Sequence, residues 1–193
     1  MTEKRAKNRS DFGNRGGLMS LGSDVYVHET AVIKRPQHVS IGSHVAIDNG
    51  VIISTKLSVG DYVHIAPYVV MIGGEGSSVE IGDFAFVAAG TKIVAGSEKY
   101  TGEGLVGPTI PIEYREVSYS AVKFERFAGC GVNCSIMPGV TLSQGAILGA
   151  NSLLTSDAEP WTIYVGSPAK PVKSRLREVC IDNARKLGYS YND

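Results

Sequence analysis

Between Phe124 and Leu154 the chain repeats every six residues. Phe124, Cys130, Ile136, Leu142, Leu148 and Leu154 share one register and are all apolar. Four places after the first five come Ala128, Cys134, Val140, Ala146 and Ser152, all small or β-branched. A period of six matches neither a helix nor a flat alternating strand. It is the period of a parallel β-helix, in which each hexad supplies one short side and one corner of a triangular coil. The large apolar residue points into the prism, and the small one points in near the corner, where bulk would clash. Coils stacked roughly 4.8 Å apart then bury a row that a single coil could not.

The same register governs an earlier block. Ile41, Ile47, Ile53, Val59, Ile65 and Met71 run in sixes, with Val45, Val51, Leu57, Val63 and Val69 at the fourth places. GGEGSS at 73–78 shifts the count by four, and the register resumes at Ile81, Val87 and Ile93. No lysine follows those glycines and no helix is signalled, so they read as a corner insertion rather than a phosphate-binding loop. Residues 96–120, with Pro108, Pro111 and several glycines, break the coil and predict a protruding loop. After Leu154 the stretch 157–168 completes the prism. Val172, Leu176, Val179, Ala184 and Leu187 then predict a helix from Pro171 to Gly188. The expected organisation is all-β: a basic lead-in at 1–20, a parallel β-helix at 21–170 and a C-terminal helix and tail at 171–193.

Charge and cysteine content narrow the function. Nineteen basic residues balance nineteen acidic ones, which gives no global field toward nucleic acid or an anionic membrane. No apolar run is long enough to span a bilayer and the N-terminus has no apolar signal core, so no membrane insertion is expected and the cytoplasm is the simplest compartment. Cys130 and Cys134 fall on inward positions and read as small core residues rather than half of a metal site.

The hexads, the long loop between two coil blocks and the ending PWTIYVGSPAKPVKSR (160–175) resemble the hexapeptide-repeat acyltransferases. The resemblance covers roughly residues 21–175 and is strongest for acyl-CoA-dependent sugar acyltransferases of bacterial surface polysaccharide synthesis. It implies a left-handed β-helix, an exception to the right-handed crossover rule, and a homotrimer with sites between neighbours. It also implies transfer of an acyl group, acetyl in the simplest case, from acetyl-CoA to a hydroxyl or amine of a sugar or nucleotide-sugar. The outward Tyr62, Tyr68, Val70, Phe84 and Phe86 read as one apolar face for that trimer.

In related enzymes a histidine opens the protruding loop. Counting from Ile81-Gly82-Asp83, that place falls at Glu98 in GSEKY, so a carboxylate stands where the pattern has an imidazole. Glu98 is one candidate for general base, and His64 in VHIAP is the other. For the donor, the family pattern points to late coils, where Gly131, Gly149 and Ala150 allow close approach and free N–H groups. Lys170 and Arg175 are expected to meet the CoA phosphates. Many relatives carry tryptophan where this chain has Gly129, which leaves one wall of that groove unassigned.

Two rival readings remain at this level. The absent loop histidine also fits a same-fold binding or scaffold protein without catalysis. A metalloenzyme like the zinc carbonic anhydrases of this fold needs three converging imidazoles. His28, His38, His44 and His64 all lie in the first third of the chain, with none in later coils, and no metal site is expected.

Overall fold

The computed structural model describes residues 17–191. The body is a parallel β-solenoid of about seven turns. Its first face stacks Ser20–Leu21, Val39–Ile41, Lys56–Val59, Ser78–Ile81, Ala121–Phe124 and Thr141–Leu142. The second face stacks Tyr26–Val27, Ala46–Ile47, His64–Ile65, Phe86–Val87, Gly129–Cys130, Ile147–Leu148 and Thr162–Gly166, and the last of these turns back antiparallel into Ala169–Ser174. The third face stacks Val32–Ile33, Ile52–Ile53, Val70–Ile72, Lys92–Val94, Ser135–Ile136 and Leu153–Leu154. We call the corner between the first and second faces the first edge, that between the second and third the second edge, and that between the third and first the third edge.

The hexad register holds along the whole prism. Ile41, Ile47, Ile53, Ile65, Met71, Ile93, Phe124, Ile136, Leu142, Leu148 and Leu154 are fully buried, as are the small inward residues Ala128, Cys134 and Ala146. Each large buried side chain stabilises the fold by roughly 1.5–3 kcal/mol relative to exposure. The interior is filled by side chains and leaves binding to the outside.

The third edge carries every insertion. A 3-10 turn at Pro36–His38 is one. The glycine-rich segment is another, with Ser77 and Thr55 pairing their buried hydroxyls at 2.8 Å. The largest is the predicted loop, which has more structure than its composition suggests. Gly96–Glu98 pairs antiparallel with Val117–Tyr119 to make a stem.

Both ends depart from expectation. Of the expected lead-in at 1–20, residues 1–16 lie outside the described residues, and Ser20–Leu21 already pairs with Ser40 and Ile41. The helix, α1, spans only Glu178–Lys186 and buries Ile181 and Ala184. Pro171–Ser174 is strand instead, because Ala169–Ser174 finds its hydrogen-bonding partner in Thr162–Gly166. Val172, Leu176, Val179 and Leu187, whose spacing suggested a buried helical stripe, are exposed.

Candidate active site on the second edge

At the second edge each coil makes the same turn. Its first residues are His28, Asp48, Ala66, Ala88, Gly131 and Gly149, and each donates its N–H to the carbonyl of the next coil. The N–H groups of Gly131 and Gly149 are thereby committed, to Leu148 O and Tyr164 O at 2.7 Å each. This corrects the expectation that these two glycines offer free donors. Their role is steric: a Cβ on Gly131 would run into the backbone of Ala150, and one on Gly149 into Val165.

The donors are one residue further on. Pro67, Ala89, Val132 and Ala150 occupy equivalent places in successive coils, since the residue after each donates to the carbonyl of its counterpart one coil earlier: Gly90 to Pro67, Asn133 to Ala89, Asn151 to Val132. Among the described residues the N–H groups of Ala89, Val132 and Ala150 make no hydrogen bond, and none of the three is buried. Pro67 shows why the coil permits this: the ladder does not use the N–H at this place, so a residue without one fits. The edge therefore presents a column of unpaired donors, one per coil. Val165 lies at its far end, and Lys170 is paired with Val165 across the terminal hairpin. Lys170 is exposed and close to where the column ends.

His64 and Phe86 are neighbours on the outer side of the second face. His64 Nε2 lies 2.7 Å from Asp48 Oδ2, and the imidazole is 54% exposed. A carboxylate on Nε2 holds the proton there and turns the Nδ1 lone pair outward, the tautomer a general base needs. Asp48 was not singled out from the sequence, although the register would have shown it: Ala46–Ile47 pairs directly with His64–Ile65. Phe86 accounts for Gly129: its ring covers the place a Gly129 side chain would take, so an aromatic ring stands there from the preceding coil.

Glu98 is placed differently. It sits in the loop stem on the third edge, where Oε1 accepts from both Nε and Nη2 of Arg115, the former at 3.1 Å. The carboxylate is 13% exposed, and its Oε2 is buried with no partner among the described residues. A carboxylate enclosed against a guanidinium braces the loop stem, and within one chain it does not share a surface with His64. Arg175 is also displaced from its expected role. Its Nη1 donates to Phe127 O at 2.6 Å and to Gly145 O at 3.0 Å. It lies on the first edge, against Trp161, and bolts the terminal segment to the coils instead of standing beside Lys170. Cys130 and Cys134 are buried as expected. Contact with Cys134 and burial push the Cys130 thiol well up, which suits a core residue.

The aromatic residues expected to form one trimer face are divided. Tyr62 and Phe84 stack with His44 and Phe127 on the first edge and are covered by Tyr189 and Tyr191 of the same chain. Tyr68 lies on the second edge, Phe86 on the second face and Val70 on the third. Exposed apolar side chains also stand on the third face, at Val32, Ile52 and Ile72, with Tyr68 on the adjoining edge. Among the described residues no three His, Cys, Asp or Glu side chains converge as a metal site would need, and no helix is long and apolar enough to cross a membrane.

No protein-family model matches the chain. A dTDP-4-amino-4,6-dideoxy-D-glucose acyltransferase of Escherichia coli is 31% identical over 166 residues, which cover 84% of this chain and 85% of that one. The chain belongs to the hexapeptide-repeat sugar acyltransferases. The crystal structure of AntD, an N-acyltransferase from Bacillus cereus in complex with dTDP and 3-hydroxybutyryl-CoA, superposes with a TM-score of 0.84 at 34% identity, covering 89% of this chain and 91% of that one. A variant of AntD bound to dTDP-4-amino-4,6-dideoxyglucose and coenzyme A gives 0.85 at 32% identity, over 97% and 96%. The second edge of this chain carries the unpaired backbone donors of Ala89, Val132 and Ala150 and the Asp48 carboxylate that pairs with His64.

Proposed function

We propose that the chain transfers an acyl group from acyl-CoA to the amine of a dTDP-linked 4-amino-4,6-dideoxyhexose, an activated sugar of the kind consumed in surface polysaccharide synthesis. The observation that carries this reading is the second edge itself. Its donor column suits the amide-containing pantetheine arm, with Ala150, Val132 and Ala89 donating in turn and Lys170 meeting the phosphates. The column is interrupted at Pro67, three residues after His64, so the thioester arrives near the imidazole that Asp48 orients. The E. coli relative and the AntD complexes supply the nature of donor and acceptor.

In the reaction, the acceptor nitrogen attacks the thioester carbonyl, the C–N bond forms and the C–S bond breaks. His64 Nδ1 takes the proton lost by nitrogen and passes it to the departing CoA sulfur, while Asp48 stabilises the imidazolium in between. An unpaired backbone N–H facing the carbonyl oxygen would stabilise the charge that develops there. Acetyl-CoA is the simplest donor, and 3-hydroxybutyryl-CoA is the alternative suggested by AntD. We place three chains around one axis through the exposed third face, with the loop of one chain beside the second edge of the next, and we place the enzyme in the cytoplasm, where acyl-CoA and nucleotide sugars are made.

The test is a thiol-release assay with dTDP-4-amino-4,6-dideoxyglucose and each of the two acyl-CoAs, with the product identified by mass. Release with either donor and a mass gain on the amine are expected. Release only with hydroxyl-bearing sugars would move the enzyme to O-transfer, and no release with any sugar would favour a non-catalytic binding protein. Light scattering should give three chains per particle; a well-folded monomer would remove the shared site.

A further inference from the structure

The first edge carries a second constellation, remote from the donor column. His44, Tyr62, Phe84, Phe127 and Trp161 all stand in the left-handed region, with φ of 59, 56, 58, 63 and 50°. Non-glycine residues adopt this conformation at a cost. The rings offset it by stacking along the edge, with centroid separations of 4.4, 5.2, 5.3 and 5.7 Å. Trp161 reaches Phe127 only because the intervening position is Gly145, where a Cβ would strike the indole.

Beside this ladder stand two carboxylates of successive coils, each facing two ways. Asp61 Oδ1 accepts from Ser43 N at 2.6 Å and Asp83 Oδ1 from Asp61 N at 2.9 Å, which ties each corner to the coil before it. Their outward oxygens accept phenols from the end of the chain: Tyr189 to Asp61 Oδ2 at 2.6 Å, and Tyr191 to Asp83 Oδ2 at 3.2 Å. Both phenol rings meet the ladder edge-on, at 5.1 Å for Tyr189 on Phe84 and 5.5 Å for Tyr191 on Phe127. The Arg126 guanidinium covers the Tyr191 ring at 4.4 Å. Tyrosines two apart in the tail thus reach carboxylates one coil apart, so the tail lies along the edge with one tyrosine per coil.

We propose that the first edge is a docking groove for a Tyr-x-Tyr segment, formed by Asp61, Asp83, Phe84, Phe127 and Arg126 and occupied in cis by residues 189–191. Ring stacking selects aromatic side chains two apart, and the paired carboxylates select phenols over plain phenyl rings. The groove is independent of the acyl-transfer reading, since it shares no residue with the second edge.

The full-length chain tests this by tryptic release of its tail, through cleavage after Arg185 and Lys186. That rate reports how often the tail leaves its seat. Changing Tyr189→Phe and Tyr191→Phe together keeps the rings and removes both hydrogen bonds to charged acceptors, and it should speed release roughly tenfold or more. Excess Gly-Tyr-Ser-Tyr peptide should also speed release from the wild-type chain, and Gly-Phe-Ser-Phe at the same concentration should not. Equal release from the wild type and the double variant, equal action of the two peptides, or no action by the tyrosine peptide would each overturn the proposal.

Discussion

The first and second edges are the same backbone turn made from different side chains. On the first, large aromatic residues take the left-handed position and stack into a ladder that the chain's own tail covers. On the second, the left-handed position is held by Gly50, Tyr68, Gly90, Asn133 and Asn151, and the preceding residues are small enough to leave backbone donors uncovered. Glycine and asparagine accept that conformation at little cost and need no stacking partner. The contrast teaches that a repeat fold can assign one corner to cohesion and another to chemistry without changing its coil.

Five substitutions and a titration probe that division, beginning with the interior that both edges share. Ile136→Asp places a charge in a fully buried position, where desolvation costs several kcal/mol; circular dichroism and solubility should show no folded protein, and normal thermal stability would break the register itself. On the second edge, His64→Asn should lower turnover by roughly 10²–10⁴ with donor binding unchanged, whereas Glu98→Gln should leave turnover close to normal and loosen the loop stem. Steady-state kinetics on both variants decides between them, and the reverse pattern would return the base to Glu98.

On the first edge, Phe127→Ala removes the buried member of the ladder and should cost about 3 kcal/mol in thermal unfolding, with no change in the Michaelis constant for donor. Ala150→Pro should do the opposite. It deletes one unpaired donor where Pro67 shows the coil accepts proline, so the donor constant should rise about tenfold, the worth of one hydrogen bond, at unchanged melting temperature. If both variants altered stability and binding alike, the two edges would not be separable.

The smallest effect is electrostatic. Tyr189 and the Ser43 N–H hold the Asp61 carboxyl below its usual value, and Asp61 in turn pushes Tyr189 up to about 12. A raised phenol stabilises the seated tail fully below its unfolded value near 10 and loses that contribution as pH rises from about 10 to 12. The lowered carboxyl contributes above its unfolded value near 3.9 and stops contributing as pH falls through its folded value. Tail release should therefore be slowest between roughly pH 5 and 9, and a Tyr189→Phe chain should lose part of the alkaline limb, with the rest carried by Tyr191, whose phenol is also pushed up by burial and Asp83.

The interior was legible because one periodicity decides it: every sixth residue from Phe124 to Leu154 is buried, and GGEGSS and the 96–120 loop fall on the same edge because both interrupt the same phase. The site was legible only in part. Glycines such as Gly131 and Gly149 announce tight packing, but which N–H the coil consumes is a matter of phase, one residue away at Ala150. Asp48 beside His64 needs two coils in register, and Glu98 against Arg115 needs a hairpin closed within a glycine- and proline-rich loop. The helix was read too early because Val172 belongs to a hairpin that no local spacing reveals. Tyr189 and Tyr191 find Asp61 and Asp83 across more than a hundred residues, a contact set by where the last coil releases the chain.

Pro67 has a consequence for measurement. Equivalent positions recur at the coil pitch, roughly 4.8 Å, so Ala150, Val132 and Ala89 are graduations on a ruler cut into the backbone, and Pro67 is the mark left off. An extended ligand bonding to them can shift only by whole graduations, and past Ala89 it meets a gap before the next mark at Asn49. Length is thus gauged by the repeat itself, and where the scale is broken is set by a single residue that has no hydrogen to offer.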